Sequence, residues 1–286
     1  MRIMVTGAEG MLGREVVARL AGAHDVVGVD IADFDITDFA ATSAAIAGAK
    51  PDLVCHCAAY TDVDGCERDP DRAFRVNALG TWNVAATCGA AGAAMIYMST
   101  DFVFDGEKAA PYTEYDDPRP LGAYGASKLA GERHVRELVP RHFIVRTAWL
   151  FAAHGKNFVL SILRKAREPV LRVVGDQVGS PTCAGDLADA IARHIVDSQL
   201  YGTYHITNAG SCSWAELAAE ALRLAGSDAR VEPISWRDWP SPTRRPANST
   251  LRHLALELQG RDDIRPWQEA LAEVVARVRA NGEPSA

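Results

Sequence analysis

The stretch RIMVTGAEGMLGREVVARL, residues 2–20, constrains the fold more than any other part of the chain. An apolar run ends at Thr6, glycines follow at positions 7, 10 and 13, and a helical pattern begins at once. A G-x-x-G-x-x-G turn between a strand and a helix is where a dinucleotide pyrophosphate rests on a helix N-terminus. Glycine lets the backbone approach the phosphates and lets the helix lie close on the strand. Gly7, Gly10 and Gly13, with Met11 and Leu12 between them, are therefore read as a phosphate cradle. The bland reading is a glycine turn with only a structural role.

The second apolar run, HDVVGVD, ends on Asp30. An acid there hydrogen-bonds ribose hydroxyls and repels a 2′-phosphate, which favours NAD over NADP. Asp35 and Ile36, in FDITD, lie where the adenine would be approached.

Further apolar runs at DLVCHCAA, AAMIYMST and HFIVRTAW alternate with helical patterns at FAATSAAIAGA, AFRVNALGTWNVAATCGAAG and YGASKLAGERHVREL. Such alternation, with strands apolar throughout, predicts a doubly wound, Rossmann-type parallel sheet covered on both faces. Residues 1–149 read as the dinucleotide-binding domain, and 150–286 mainly as a smaller α/β substrate-binding region, with later segments returning to the sheet. In that region NFVLSILRKARE, CAGDLADAIARHIVDS, SWAELAAEALRLAG and RPWQEALAEVVARVRA read as helices, and VLRVV and GTYHITN as strands. WRDWPSPTRRPANST reads as a loop and GEPSA as a frayed tail.

Composition narrows the function. The 286 residues are 48% hydrophobic with a net charge of −7, so no basic footprint for nucleic acid is expected. No apolar run is long enough for a membrane span and no signal-peptide pattern opens the chain, so a cytoplasmic location is expected. Disulfides are not expected in that compartment. Cys55-His56-Cys57 places two thiols on one face of a buried strand. Packing is the main reading there, with metal or redox chemistry as the alternative.

Ligands of a doubly wound sheet lie outside the carboxyl ends of its strands. Ala59, Tyr60 and Thr61 follow the third strand, and Thr100 and Asp101 the fourth. Tyr124 and Lys128, in YGASK, share one helix face. A lysine ammonium there would lower the tyrosine pKa and make it a usable proton donor or acceptor.

The glycine turn, a Ser/Thr ending strand four and Y-x-x-x-K resemble the extended short-chain dehydrogenase/reductases. HCAAYTDVDGCE, STDFVFDG, YGASKLAGE, RTAWLF, GDQVGSPT and RRPANSTL are similar, in the same order, to the dTDP-4-dehydrorhamnose reductase family. The resemblance implies hydride transfer from NADPH or NADH to the carbon-4 ketone of a dTDP-4-dehydro-6-deoxyhexose. It implies that Tyr124 is the proton donor, that Lys128 holds the nicotinamide ribose, and that Thr100 orients the sugar oxygen. Thr61 and Val63 match positions lining the cofactor and sugar pocket, and Trp149 one that packs on the sugar, although a core role is open. Arg245 and Asn248 match the segment facing the nucleotide-sugar, with a solvated loop arginine as the alternative. Glu15 matches a Mg²⁺ ligand used by some members at a dimer interface, so Mg²⁺ and a monomer or homodimer are both expectations. Met11, His56 and Phe102 depart from the family's common Gln, Asn and Tyr. The resemblance leaves open another 4-keto nucleotide-sugar reductase, an epimerase, or a non-catalytic partner similar to the regulatory subunit of methionine adenosyltransferase.

Overall fold

A computed structural model describes residues 1–281; the expected tail, 282–286, lies outside the described residues. Strands β1 (Arg2–Thr6), β2 (Asp25–Val29), β3 (Leu53–His56), β4 (Ala94–Thr100) and β5 (His142–Thr147) form one parallel sheet with the strand Gly202–His205. The order is Gly202–His205, β5, β4, β3, β1, β2. From β1 the chain winds one way to β2 and the other way to β3. The order therefore reverses between β1 and β3, and a crevice opens beyond their carboxyl ends.

The apolar runs are continuous because both faces of the sheet are covered. Ile3, Val5, Cys55, Ile96, Met98, Phe143 and Val145 point to one side, where they meet Leu12, Val16 and Leu20 of the helix Met11–Leu20. Their neighbours Met4, Val54, Met95, Tyr97 and Ile144 point to the other, against Ile46, Val84, Cys88 and Val135. The strand period of two sorts adjacent residues onto opposite cores.

A separate apolar cluster gathers Phe151, Leu160, Leu163, Leu171, Leu217, Leu222, Trp267 and Leu271. It sits among the helices Phe158–Arg164, Trp214–Ala225 and Trp267–Ala280 and the parallel pair Val170–Val174 with Arg230–Ile234. Ser213 and Glu216 form the reciprocal capping box expected from the sequence.

Two segments differ from their periodicity. The long helical pattern after Pro70 is broken by a π-helical turn, Arg75–Gly80, between the helices Pro70–Phe74 and Thr81–Ala91. NFVLSILRKARE stops being helical at Arg164, where tighter three-residue bonds from Lys165 and Ala166 close the last turn. The strand in GTYHITN pairs in parallel with β5 of the main sheet, Tyr204 opposite Val145. No helix among the described residues is long and apolar enough to cross a membrane.

Candidate active site

A cavity of about 740 Å³ opens at the β1/β3 switch. Gly7, Gly10, Asp30, Asp35, Ile36, Cys57, Ala59 and Tyr60 line it, and Arg72 and Arg75 stand on its wall. Gly7 has φ +68°, which glycine alone adopts without cost. A Cβ on Gly7 would lie 2.6 Å from Ala58 N, and one on Gly13 only 2.0 Å from the Gly7 carbonyl oxygen. The turn therefore has no slack. Gly13→Ala is expected to destabilise the chain by about 1–3 kcal/mol through overpacking and to weaken binding of the expected dinucleotide. Urea unfolding and a fluorescence titration with NADPH check both.

Gly10 caps the helix Met11–Leu20 without a side chain, leaving its N-terminal N–H groups toward the cavity end of the helix. Leu12 is buried in the core, and Met11 Sδ lies 3.7 Å from Asn157 Nδ2. Asp30 accepts the Glu9 N–H at 2.8 Å and its neighbour Ile31 N–H at 2.7 Å, which ties strand β2 to the glycine turn. Asp35 accepts the Thr37 N–H at 2.8 Å. Thr61 is exposed and lies outside the cavity lining.

Thr100, Tyr124 and Lys128 gather beyond the ends of β4 and the start of the helix Ala123–Leu138. The Thr100 hydroxyl neighbours the Tyr124 phenol and works to lower its pKa. It also donates to Asp101 at 3.1 Å and accepts the Phe102 N–H at 3.2 Å. The Phe102 ring meets Tyr124 edge-on at 5.6 Å. Although Tyr124 keeps part of its surface accessible, desolvation is the largest influence on the phenol and pushes its pKa well up. Asp101 and Cys66 push the same way, while Thr100 opposes them.

The expectation that Lys128 lowers the Tyr124 pKa is corrected here. Lys128 is 3% exposed, and its ammonium lies over the Tyr97 ring, 4.1 Å from the centroid. Burial brings Lys128 itself down to about 7, against the support of Glu132 and Cys57. Helical spacing puts the two residues on one face, but the lysine stem turns inward and spends its charge on Tyr97.

Asp101 is also buried, and burial pushes it up to about 6, against the hydrogen bond that Thr100 donates to Oδ1. His56 links Thr6 Oγ1 at 2.7 Å to Thr81 Oγ1 at 3.2 Å. Burial, then the Lys128 charge, bring it down to about 3, so it stays neutral.

The remaining expected residues are placed as follows. Val63 opens the short helix Val63–Arg68, and its carbonyl accepts from Thr243. Arg245 donates to Asp64 on that helix at 3.2 Å. The carboxamide of Asn248 donates to the carbonyls of Lys108 and Ala109 and accepts from Thr250, so it fastens two loops together. Trp149 has φ +47°, stacks face to face on Trp214 at 3.5 Å, and lies against Gly179. It packs on two apolar clusters at once.

Glu15 pairs with His154 Nε2 at 2.8 Å, and among the described residues no group of three or more His, Cys, Asp or Glu gathers to hold a metal. A single, already paired carboxylate does not suit Mg²⁺, which demands near-octahedral oxygen coordination. Within this chain no second carboxylate joins Glu15, so the Mg²⁺ expectation there finds no support among the described residues.

Two residues that the sequence reading passed over connect the parts. Asn77, fully buried on the π-helical turn, accepts the Tyr60 N–H at 2.8 Å and donates to the Tyr60 carbonyl and to Ser127 Oγ, both at 3.0 Å. It joins the cavity wall to the helix carrying Tyr124 and Lys128. Glu67 accepts the Ala123 N–H at 3.0 Å and so caps that helix, whose own N-cap, Gly122, has no side chain to do it. The only sequence signal for Asn77 is an asparagine inside an apolar helical pattern. For Glu67 there is none, because it lies 56 residues from its partner.

Comparison with known proteins gives a consistent result. The family model described as RmlD substrate binding domain matches residues 1–280. A dTDP-4-dehydrorhamnose reductase of Streptomyces griseus is 42% identical, over 95% of this chain and 92% of its own. A probable dTDP-4,6-dihydroxy-2-methyloxan-3-one 4-ketoreductase of Streptomyces antibioticus is 39% identical, over 99% and 98%. Among solved structures, a dTDP-4-dehydrorhamnose reductase from Clostridium acetobutylicum superposes with TM-score 0.95 at 43% identity, covering 98% and 100% of the two chains. One from Bacillus anthracis, in complex with NADP, gives 0.94 at 38%, covering 96% and 99%.

Proposed function

Because this chain belongs to the RmlD substrate-binding-domain family, that of the dTDP-4-dehydrorhamnose reductases, we propose that it reduces the carbon-4 ketone of dTDP-4-dehydro-L-rhamnose to give dTDP-L-rhamnose. The observation that carries this reading is the pair of neighbouring Thr100 and Tyr124 hydroxyls, joined through Asn77 to a cavity lined by the glycine turn.

NADPH or NADH, when bound, supplies the hydride. The residues present fit such a cofactor: the Gly7–Gly13 turn has the shape of a backbone cradle that side chains would fill. Arg72 and Arg75 on the cavity wall offset the Asp30 carboxylate, so both dinucleotides are to be assayed. Thr100 orients the ketone oxygen toward Tyr124. Burial keeps the proton on the Tyr124 phenol at neutral pH, so Tyr124 acts as an acid, giving up its proton only as charge develops on that oxygen. Lys128, one helical turn on, holds the ribose while its ammonium is charged. Arg245, whose planar fork suits a diphosphate, faces it once it leaves Asp64.

The Lys128 reading fixes a pH dependence. Its pKa is lowered to about 7, so the ammonium is present below that pH and is lost above it. The kcat/KM for NADPH is expected to fall as pH rises through about 7, because this quantity reports groups of the free enzyme. A profile flat from pH 6 to about 9 would remove Lys128 from cofactor binding.

The deciding experiment follows NADPH and, separately, NADH oxidation by purified protein with dTDP-4-dehydro-L-rhamnose generated in place. Substrate-dependent oxidation with dTDP-L-rhamnose recovered is expected. The Streptomyces antibioticus ketoreductase favours a second reading, another dTDP-4-keto sugar as substrate. Tight cofactor binding without turnover on the rhamnose precursor would move the assignment there.

A further inference from the structure

We infer that Cys55 and Cys57 are a reversible thiol–disulfide pair whose oxidation by a peroxide disables the glycine turn. The consequence for binding rests on the reading of the crevice as a dinucleotide site.

The two sulfurs lie 3.8 Å apart, and all six cysteines are free thiols. Both side chains leave the same face of the sheet, as residues two apart in a strand must. Their surroundings differ. Cys55 is fully buried, with Val5 and Ile96 opposite it on the flanking strands. Cys57 lies one residue past the end of β3, is partly exposed, and lines the cavity beside Gly7 and Ala58. It stands close enough to Lys128 to act on that ammonium.

A small peroxide entering the cavity meets Cys57 first. The Cys57 thiol attacks one peroxide oxygen, giving a sulfenic acid and one water, or an alcohol from an organic peroxide. Cys55, already in contact, then attacks the Cys57 sulfur; the S–S bond forms and the sulfenic oxygen leaves as water. Two thiols are oxidised and one peroxide is reduced. Proximity replaces the favourable ionisation that buried Cys55 lacks, since burial and its Cys57 neighbour raise its pKa.

The bond requires the sulfurs to close from 3.8 Å to about 2.05 Å. Cys55 is held by strand ladders on both sides and Cys57 by its N–H to the Thr6 carbonyl at 3.1 Å, so Cys57 is the end that yields more easily. The backbone from Cys57 to Ala58 is the surface on which Gly7 rests. A Cβ on Gly7 would stand 2.9 Å from the Cys57 carbonyl carbon and 2.6 Å from Ala58 N. A shift of Cys57 therefore displaces the turn and the start of the helix Met11–Leu20. Two strand residues span about 6.6 Å, within the range that bridged α-carbons adopt.

The test treats the full-length protein with hydrogen peroxide and analyses the tryptic peptide carrying Cys55, Cys57 and Cys66. Loss of two hydrogens is expected, with the link mapped to Cys55–Cys57 and Cys66 still alkylatable. NADPH binding is expected to weaken by about tenfold or more, and dithiothreitol should restore it. Prior saturation with NADP⁺ should slow the reaction. Cys55→Ala should keep NADPH binding and accumulate a dimedone-trappable Cys57 with no link. Absence of the link in the wild-type protein, or a link that leaves NADPH binding unchanged, overturns the inference. Neither result bears on the reductase assay of untreated protein, which tests the proposed function separately.

Discussion

Tyr124→Phe is expected to lower turnover by about 10²–10⁴-fold, the range for loss of a positioned general acid, with NADPH binding unchanged. The substitution removes one oxygen and keeps the ring, so the edge-on contact with Phe102 survives. The glycine turn, the Asn77 clamp and the Glu67 cap do not involve the phenol oxygen. The deletion therefore isolates proton donation. The Thr100 hydroxyl loses a neighbour but keeps its bonds to Asp101 and the Phe102 N–H. Steady-state kinetics beside an NADPH fluorescence titration make the measurement. A variant that turns over at the wild-type rate would exclude Tyr124 as the acid. A variant that fails to bind NADPH would show instead that the phenol shapes the cofactor site.

The second large effect concerns stability. Glu132 and Arg146 are 0% and 1% exposed. Arg146 donates through Nε at 2.9 Å and Nη2 at 2.8 Å, one bond to each carboxylate oxygen. Ser99 donates to Glu132 at 2.6 Å and Arg136 at 2.9 Å. Burial opposes ionisation of Glu132, yet the Arg146 hydrogen bonds and charge, with Arg136 and Ser99, carry its pKa below the usual value. Glu132→Ala leaves the Arg146 guanidinium buried without its counter-charge. The expected loss is about 3–5 kcal/mol, a large part of the total stability of a typical domain. The midpoint of urea unfolding reads it. A double replacement by Leu at 132 and Met at 146 should recover much of the loss, because a buried pair is costly to break but contributes little over apolar packing. A loss below about 1 kcal/mol in the single variant would mean that water reaches Arg146.

The sequence determined most of the framework. Continuous apolar strands alternating with helical patterns implied the parallel sheet, because side chains of opposite parity serve two cores. The glycine spacing located the turn, because only glycine fits where Gly7 meets Ala58 and Gly13 meets Gly7. The capping box at Ser213 was local and therefore legible. Family motifs identified Thr100, Tyr124 and Lys128 as a set. Tertiary structure decided the rest. It placed Gly202–His205 beside β5, a pairing that spans some sixty residues and leaves no local signal. It took Asn77 out of a helical pattern to clamp Tyr60 to Ser127, and it capped the Tyr124 helix from Glu67. It reversed the expected electrostatics of Tyr124 and Lys128, because helical spacing fixes which side chains are neighbours along an axis. How deeply those groups are buried, and therefore which way their protons shift, depends on the elements that the whole fold packs around them.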